Sequence, residues 1–213
     1  GEITYSSNLN ITDASFDNVD ISNRLIVHNE ISANDFISTR IKVYAYDLAN
    51  AASPVKGSIY FGQETGKTTG QKNIGIGYKA IMTDTSNSAN CIAIGSEAGQ
   101  TDMRGGSIAI GSNAGKINLG ALSVAIGLDA GRNDIGENAT LIGPYAGRFA
   151  KSNNTTALGY KAAELHTEDN TIAIGYRAMY GAQATGGISG NVAIGSSAGY
   201  NITSGGNNVF LGY

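Results

Sequence analysis

The titratable and nucleophilic side chains of this 213-residue chain are few, and their spacing tests whether it can do chemistry. His166 stands in the run ELHTED beside Glu164, Glu168 and Asp169, residue types that could hold a metal ion at a surface turn. A lone imidazole among acids in a polar turn is expected instead to be solvated, and neither His166 nor His28 belongs to a His-x-His pair. Cys91 is the single cysteine, which excludes a disulfide framework. It replaces a polar residue just before Ile92 and reads as a small buried or half-buried side chain. The run GQETGKTTG (62–70) approaches the phosphate-loop pattern G-x-x-x-x-G-K-[ST], but Phe61 stands where the first glycine is required. Glycoside hydrolysis needs two carboxylates on one site, whereas Glu97, Asp129, Glu137 and Glu164 are sparse. No nucleophile lies near a base in sequence, so no catalytic, metal-binding or cofactor-binding residue is expected, and the chain is read as a non-enzyme. The residues with recognition chemistry are Tyr160, Tyr176 and Tyr200, which could stack on sugars of a receptor or simply cover the rim of the structure.

Composition narrows the partners. The net charge is −3 with no Lys/Arg cluster, which argues against nucleic-acid binding by phosphate neutralisation. No apolar run approaches the roughly 18 residues of a membrane helix, so no membrane insertion is expected. Glycine is the outlier, at 30 of 213 residues, about double its usual share. Collagen would need about one-third glycine and abundant proline, and only two prolines occur. The glycines must therefore serve defined backbone positions.

An internal repeat supplies those positions. The strings NIGIGYKAI (73–81), CIAIGSEAG (91–99), SIAIGSNAG (107–115), SVAIGLDAG (123–131), TLIGPYAG (140–147), TTALGYKAA (155–163), TIAIGYRAM (171–179), NVAIGSSAG (191–199) and NVFLGY (208–213) recur. They centre on Gly77, Gly95, Gly111, Gly127, Gly143, Gly159, Gly175, Gly195 and Gly212, spaced 18, 16, 16, 16, 16, 16, 20 and 17 residues apart. GSIYFGQETG (57–66) fits as a degenerate earlier copy. Three residues before the glycine stands Ile92, Ile108, Val124, Ile172 or Val192, one before it stands a large apolar residue, and side chains two apart share one face of a strand. The expected core is therefore Ile94, Ile110, Ile126, Ile142, Leu158, Ile174 and Ile194. The alanines between them are expected to face neighbouring chains. A further small residue three after each glycine implies a tight corner, and the Asn/Gly/Ser/Thr-rich remainder suits turns. The whole reads as an all-β solenoid over 57–213, nine or ten coils of about 16 residues, each too thin to be stable unstacked.

Two longer spacings, around 82–90 and 181–190, are expected to be loops on one face, a binding site or tolerated slack. IGSEAG, IGSNAG and IGYRAM also fit a hexapeptide acyltransferase unit. That family needs three units per coil and a catalytic histidine, and here one unit recurs per sixteen residues. An ice-binding ladder would need a regular threonine after each glycine, and that slot varies. Residues 1–50 keep another rhythm: Ile11, Phe16, Ile21, Ile26, Ile31, Phe36 and Ile41 recur every five residues. Five is odd, so each step must contain a bend, and a fibre shaft of several chains is expected there. Residues 51–56, with Pro54, form the junction.

The NxAIGxxAG repeats resemble the head repeats of trimeric autotransporter adhesins. They are still more similar to repeats in phage tail fibres that precede an intramolecular chaperone of the endosialidase type. SSAGYNITSGGNNVFLGY (196–213) and TDASFDNVDISNRLIVHNEISANDF (12–36) carry the second likeness. The resemblance implies a homotrimer, a left-handed β-roll or triple β-helix, and a place on a virion tail or a cell surface. Its implied partners are other copies of the chain, fibre or particle proteins at the ends, and a host receptor or glycan. Autotransporter heads repeat at a shorter period and carry a membrane anchor not seen here, which favours a tail fibre over a bacterial surface adhesin. No chaperone domain follows Tyr213, which leaves cleavage or truncation open. A tailspike that degrades polysaccharide is the remaining alternative.

Overall fold

The computed structural model describes residues 58–66, 70–83, 88–181 and 188–213. The chain divides into two compact units, Gly1–Val43 and Tyr44–Tyr213, and every described residue belongs to the second. The expected shaft (1–50), its junction (51–56), His28 and most of the two longer loops lie outside the described residues.

Twelve three-residue strands form, all paired in parallel, and there is no helix among the described residues. They are β1 (Ile59–Phe61), β2 (Ile74–Ile76), β3 (Ile92–Ile94), β4 (Ile108–Ile110), β5 (Ile117–Leu119), β6 (Val124–Ile126), β7 (Asn133–Ile135), β8 (Thr140–Ile142), β9 (Thr156–Leu158), β10 (Ile172–Ile174), β11 (Val192–Ile194) and β12 (Val209–Leu211). Ten stack into one sheet, β1-β2-β3-β4-β6-β8-β9-β10-β11-β12, and β5 pairs with β7 on a second side. The fold is a β-solenoid, as the period requires. At the strand spacing of about 4.8 Å, nine steps make a stack roughly 43 Å long.

Pairing is in register by repeat slot: Ile92 lies against Ile108, Ala93 against Ala109 and Ile94 against Ile110. Each slot thus becomes a column of like side chains along the coil axis. The bend after each strand shows why one slot is always glycine. Gly127 has φ +131°, in the left-handed half of backbone space that side chains rarely enter. A Cβ there would lie 2.7 Å from the carbonyl carbon of Gly143 in the next coil. Its own N–H donates to the Ile110 carbonyl one coil back at 2.8 Å. Tight stacking and the bend thus make the same demand.

The expected core is inverted. Ala93, Ala109, Ala125, Leu141, Ala157, Ala173 and Ala193, the middle residues of β3, β4, β6 and β8 to β11, are fully buried. The large residues on either side point away from the coil interior. Ile94, Ile142 and Ile194 are 37%, 40% and 41% exposed, and Ile110, Ile126, Leu158 and Ile174 are half-buried. The alanines expected to face neighbouring chains therefore fill the coil, and the isoleucines expected to fill the coil face outward. The reason is width. The alanine column meets the corner alanines Ala98, Ala114, Ala130, Ala146, Ala162 and Ala178, also fully buried, and the gap admits about one large side chain per coil. Met103, Leu119 and Ile135 fill it in three coils. A Cβ on Gly115 would lie 2.7 Å from Leu119, and one on Gly147 would lie 2.6 Å from Leu141. Glycine four after the bend thus clears room for the single bulky residue.

A second internal column is polar. The residue before each of β1 to β4, β6 and β8 to β11 (Ser58, Asn73, Cys91, Ser107, Ser123, Ala139, Thr155, Thr171, Asn191) is buried, with Ala139 the one apolar member besides the thiol of Cys91. Ser107 Oγ donates to the Gly120 carbonyl at 2.7 Å and accepts from the Ser123 N–H at 3.3 Å. Ser123 Oγ donates to the Gly136 carbonyl at 3.0 Å and accepts from the Ala139 N–H at 3.0 Å. Asn73 Oδ1 accepts from the Cys91 N–H at 2.9 Å. These side chains take up turn amides and carbonyls that the coil interior would otherwise strand. Outside, Asn138 Nδ2 donates to Asn154 Oδ1 and Asn154 Nδ2 to Asn170 Oδ1, at 3.3 and 3.0 Å. All three asparagines adopt positive φ, which asparagine tolerates better than most residues.

Candidate functional site

The corner that follows each bend glycine carries the residues with recognition chemistry. Two residues after the glycine the backbone has positive φ in every coil, at 58° for Lys161 and 53° for Arg177. That conformation is held by coil-to-coil hydrogen bonds: the Lys161 N–H donates to the Pro144 carbonyl at 3.0 Å and the Arg177 N–H to the Tyr160 carbonyl at 2.9 Å. The slot thus projects its side chain at the same place in successive coils, and in three of them it holds Tyr145, Lys161 and Arg177.

Tyr160 and Tyr176, one after their glycines, stack with ring centroids 5.6 Å apart. Tyr145 meets Tyr160 edge-on at 5.9 Å. Tyr200 lies in a different slot, five after its glycine, and stacks on Tyr180 of the same slot at 5.2 Å. Cations join the two columns. Lys161 Nζ lies 5.7 Å from the Tyr160 ring and 5.4 Å from the Tyr180 ring. The Arg177 guanidinium lies 5.2 Å from the Tyr176 ring and 5.4 Å from the Tyr180 ring. The structure therefore brings Tyr160, Tyr176 and Tyr200 onto one face. It adds Tyr145, Tyr180, Lys161 and Arg177, which the sequence reading passed over. The five-residue offset shared by Tyr180 and Tyr200 was the visible clue.

Acids beside this face are already matched. Asp129 receives Arg148 at 3.0 Å and Arg132 at 3.6 Å. Glu164 receives Lys161 at 3.3 Å and Arg148 at 3.9 Å. Burial alone would lower the Lys161 pKa, but its hydrogen bond and charge contact with Glu164 outweigh that and hold it above the ordinary lysine value. The two carboxylates meet only through the shared Arg148 guanidinium, an ion-pair network rather than an acid/base pair.

The remaining candidates resolve differently. His166 is fully buried, not solvated, and its Nε2 shares a 2.6 Å hydrogen bond with Thr171 Oγ1. Glu164 is also buried. Their short polar turn folds inward because Thr171 belongs to the internal polar column. No group of three or more His, Cys, Asp or Glu residues able to hold a metal ion occurs among the described residues. Cys91 is buried, with its Sγ 3.2 Å from the Arg104 carbonyl. Strand β1 runs through Phe61 into a bend at Gly62, with no helix beginning in the described part of the phosphate-loop near miss.

No protein-family model, no curated protein and no solved structure matches this chain.

Proposed function

We propose that this chain is a segment of a homotrimeric fibre, such as a phage tail fibre, that forms a stiff non-enzymatic rod outside a particle or cell and supports attachment to a host. The observation that carries the reading is the outward face of the ten-strand sheet. Ten strands with two outward positions each give twenty positions, and none holds a charged residue. Eighteen are large and apolar, the other two being Thr140 and Thr156. All-parallel sheets are ordinarily covered on both faces, and this one is covered on one. A continuous apolar stripe of this length is the mark of an association surface.

A second copy suits that stripe better than an unrelated partner. Equal slots stack in register, so copies arranged about an axis along the solenoid meet rung by rung at the same height. The choice of three copies rests on the resemblance to trimeric fibres. Sedimentation of the full chain tests it. Trimer at micromolar concentration, three times the chain mass of 21.9 kDa, is the expected result, and a monomer would refute the reading.

A further inference from the structure

We propose that the face built from Tyr160, Lys161, Tyr176, Arg177, Tyr180 and Tyr200 is a binding site for an acidic polysaccharide. This deepens the attachment part of the reading above by naming the ligand class, and it can fail or hold separately from trimer formation.

Three observations converge. The first is exposed aromatic surface: Tyr160 and Tyr176 are 39% and 49% exposed, apolar surface against which the C–H groups of sugars can pack. The second is an uncommitted cation. Arg132, Arg148 and Lys161 each have a carboxylate within ion-pairing distance, whereas Arg177 has none among the described residues. The third is that the Arg177 guanidinium is held against two tyrosine rings, 5.2 Å from Tyr176 and 5.4 Å from Tyr180. A planar guanidinium presented in this way is suited to a carboxylate or sulfate, which can take two of its donors at once. It stands on a protein whose net charge is negative, so it is a local exception rather than part of a general cationic surface.

Sugar acids fit better than nucleic acid. A nucleic-acid strand carries a phosphate on every nucleotide and is bound by several uncompensated cations. Here one cation is uncompensated while the aromatic surface spans several coils. That ratio matches a polymer in which apolar sugar faces outnumber acidic groups. A neutral glycan would leave Arg177 without its anion.

The test is affinity electrophoresis of the full chain through native gels containing hyaluronate, partly methyl-esterified pectin (two polymers in which sugars outnumber carboxylates) or plain dextran. Retardation by at least one of the two acidic polymers and not by dextran is expected. Arg177→Ala and Tyr176→Ala should each weaken it by about tenfold or more. Arg177→Lys, which keeps charge but loses the fork, should weaken it less. Arg104→Ala, a surface control whose side chain pairs with Glu137 at 3.4 Å, should leave it unchanged. Circular dichroism and sedimented mass are read for every variant, and Arg177→Lys guards against misfolding of the alanine forms. No retardation, equal retardation by dextran, indifference to the Arg177 and Tyr176 changes, or stronger binding of oligo-dT in competition would overturn the proposal. Retardation by a monomeric chain would refute the trimer alone; a trimer without retardation would refute the site alone.

Discussion

Gly127 and Gly105 separate two uses of the same residue. At Gly127, φ +131° and a would-be Cβ contact of 2.7 Å to the next coil both oppose any side chain. Gly127→Ala should therefore destabilise the solenoid by about 3 kcal/mol or more, since backbone strain of this kind costs about 1–3 kcal/mol before any clash. At Gly105 a Cβ would meet only the Ala89 backbone, its carbonyl oxygen at 3.4 Å and its nitrogen at 3.9 Å. Gly105→Ala should be neutral or stabilising by up to about 1 kcal/mol through the unfolded chain. Thermal unfolding by circular dichroism ranks the two, and equal melting temperatures would refute the distinction. Charge acts at this scale too. The hydrogen bond from Lys116 lowers the Glu97 pKa, with burial opposing and the Lys116 charge adding. A carboxylate lowered in the folded state contributes stability above its unfolded pKa of about 4.3, and that contribution fades as pH falls through the folded value. The pair is partly solvated, so about 0.5–1 kcal/mol is at stake. Glu97→Gln should melt below the parent at pH 7, and the gap should narrow as pH falls through the lowered carboxylate pKa. A gap that shows no narrowing at any acid pH where the parent stays folded would refute the assignment.

A strand of three residues has one inward position, and the coil width decides what fits there. Ala109 is enclosed by the corner alanines, so Ala109→Leu should cost about 1–3 kcal/mol through overpacking. Between Tyr60 at one end and Phe210 at the other, Leu141 is the one large member of that strand column, and it occupies space beside Gly131 and Gly147. Leu141→Ala should leave a cavity costing about 2–5 kcal/mol. Chemical denaturation measures both, and a tolerated Ala109→Leu would show that the alanine column is not the core. Much of this element was legible in the sequence. The 16-residue period, the strand triplets and the bend glycines could all be read, because alternation and backbone exclusion leave a trace in residue type. The facing of the triplet was not legible. Ile-Ala-Ile is apolar on both sides, and the usual preference for large residues inside misleads when the interior is one side chain wide. His166 and Glu164 were hidden for a related reason: they sit in a run that reads as an exposed polar turn, and only the stacking of Thr171 in the buried polar column brings that turn inward.

At the scale of the whole molecule the inversion changes what a mutation should do. With isoleucine inside the coil, a polar substitution there would unfold it. With isoleucine outside, the same substitution should spare the coil and break the association of copies. Ile110 and Ile126 are paired neighbours in the outward ladder, on β4 and β6. The double variant Ile110→Ser/Ile126→Ser removes two rungs without adding a buried charge. Its circular dichroism spectrum should match the parent, because the alanine column and the polar column are untouched. Its sedimented mass should fall toward the single-chain value of 21.9 kDa. Melting temperature supplies an independent reading: the parent's should rise with protein concentration, as expected when folding and association are linked, and the variant's should not. A variant that unfolds outright would return the isoleucines to the coil interior. One that stays folded and fully trimeric would move the association surface away from this sheet.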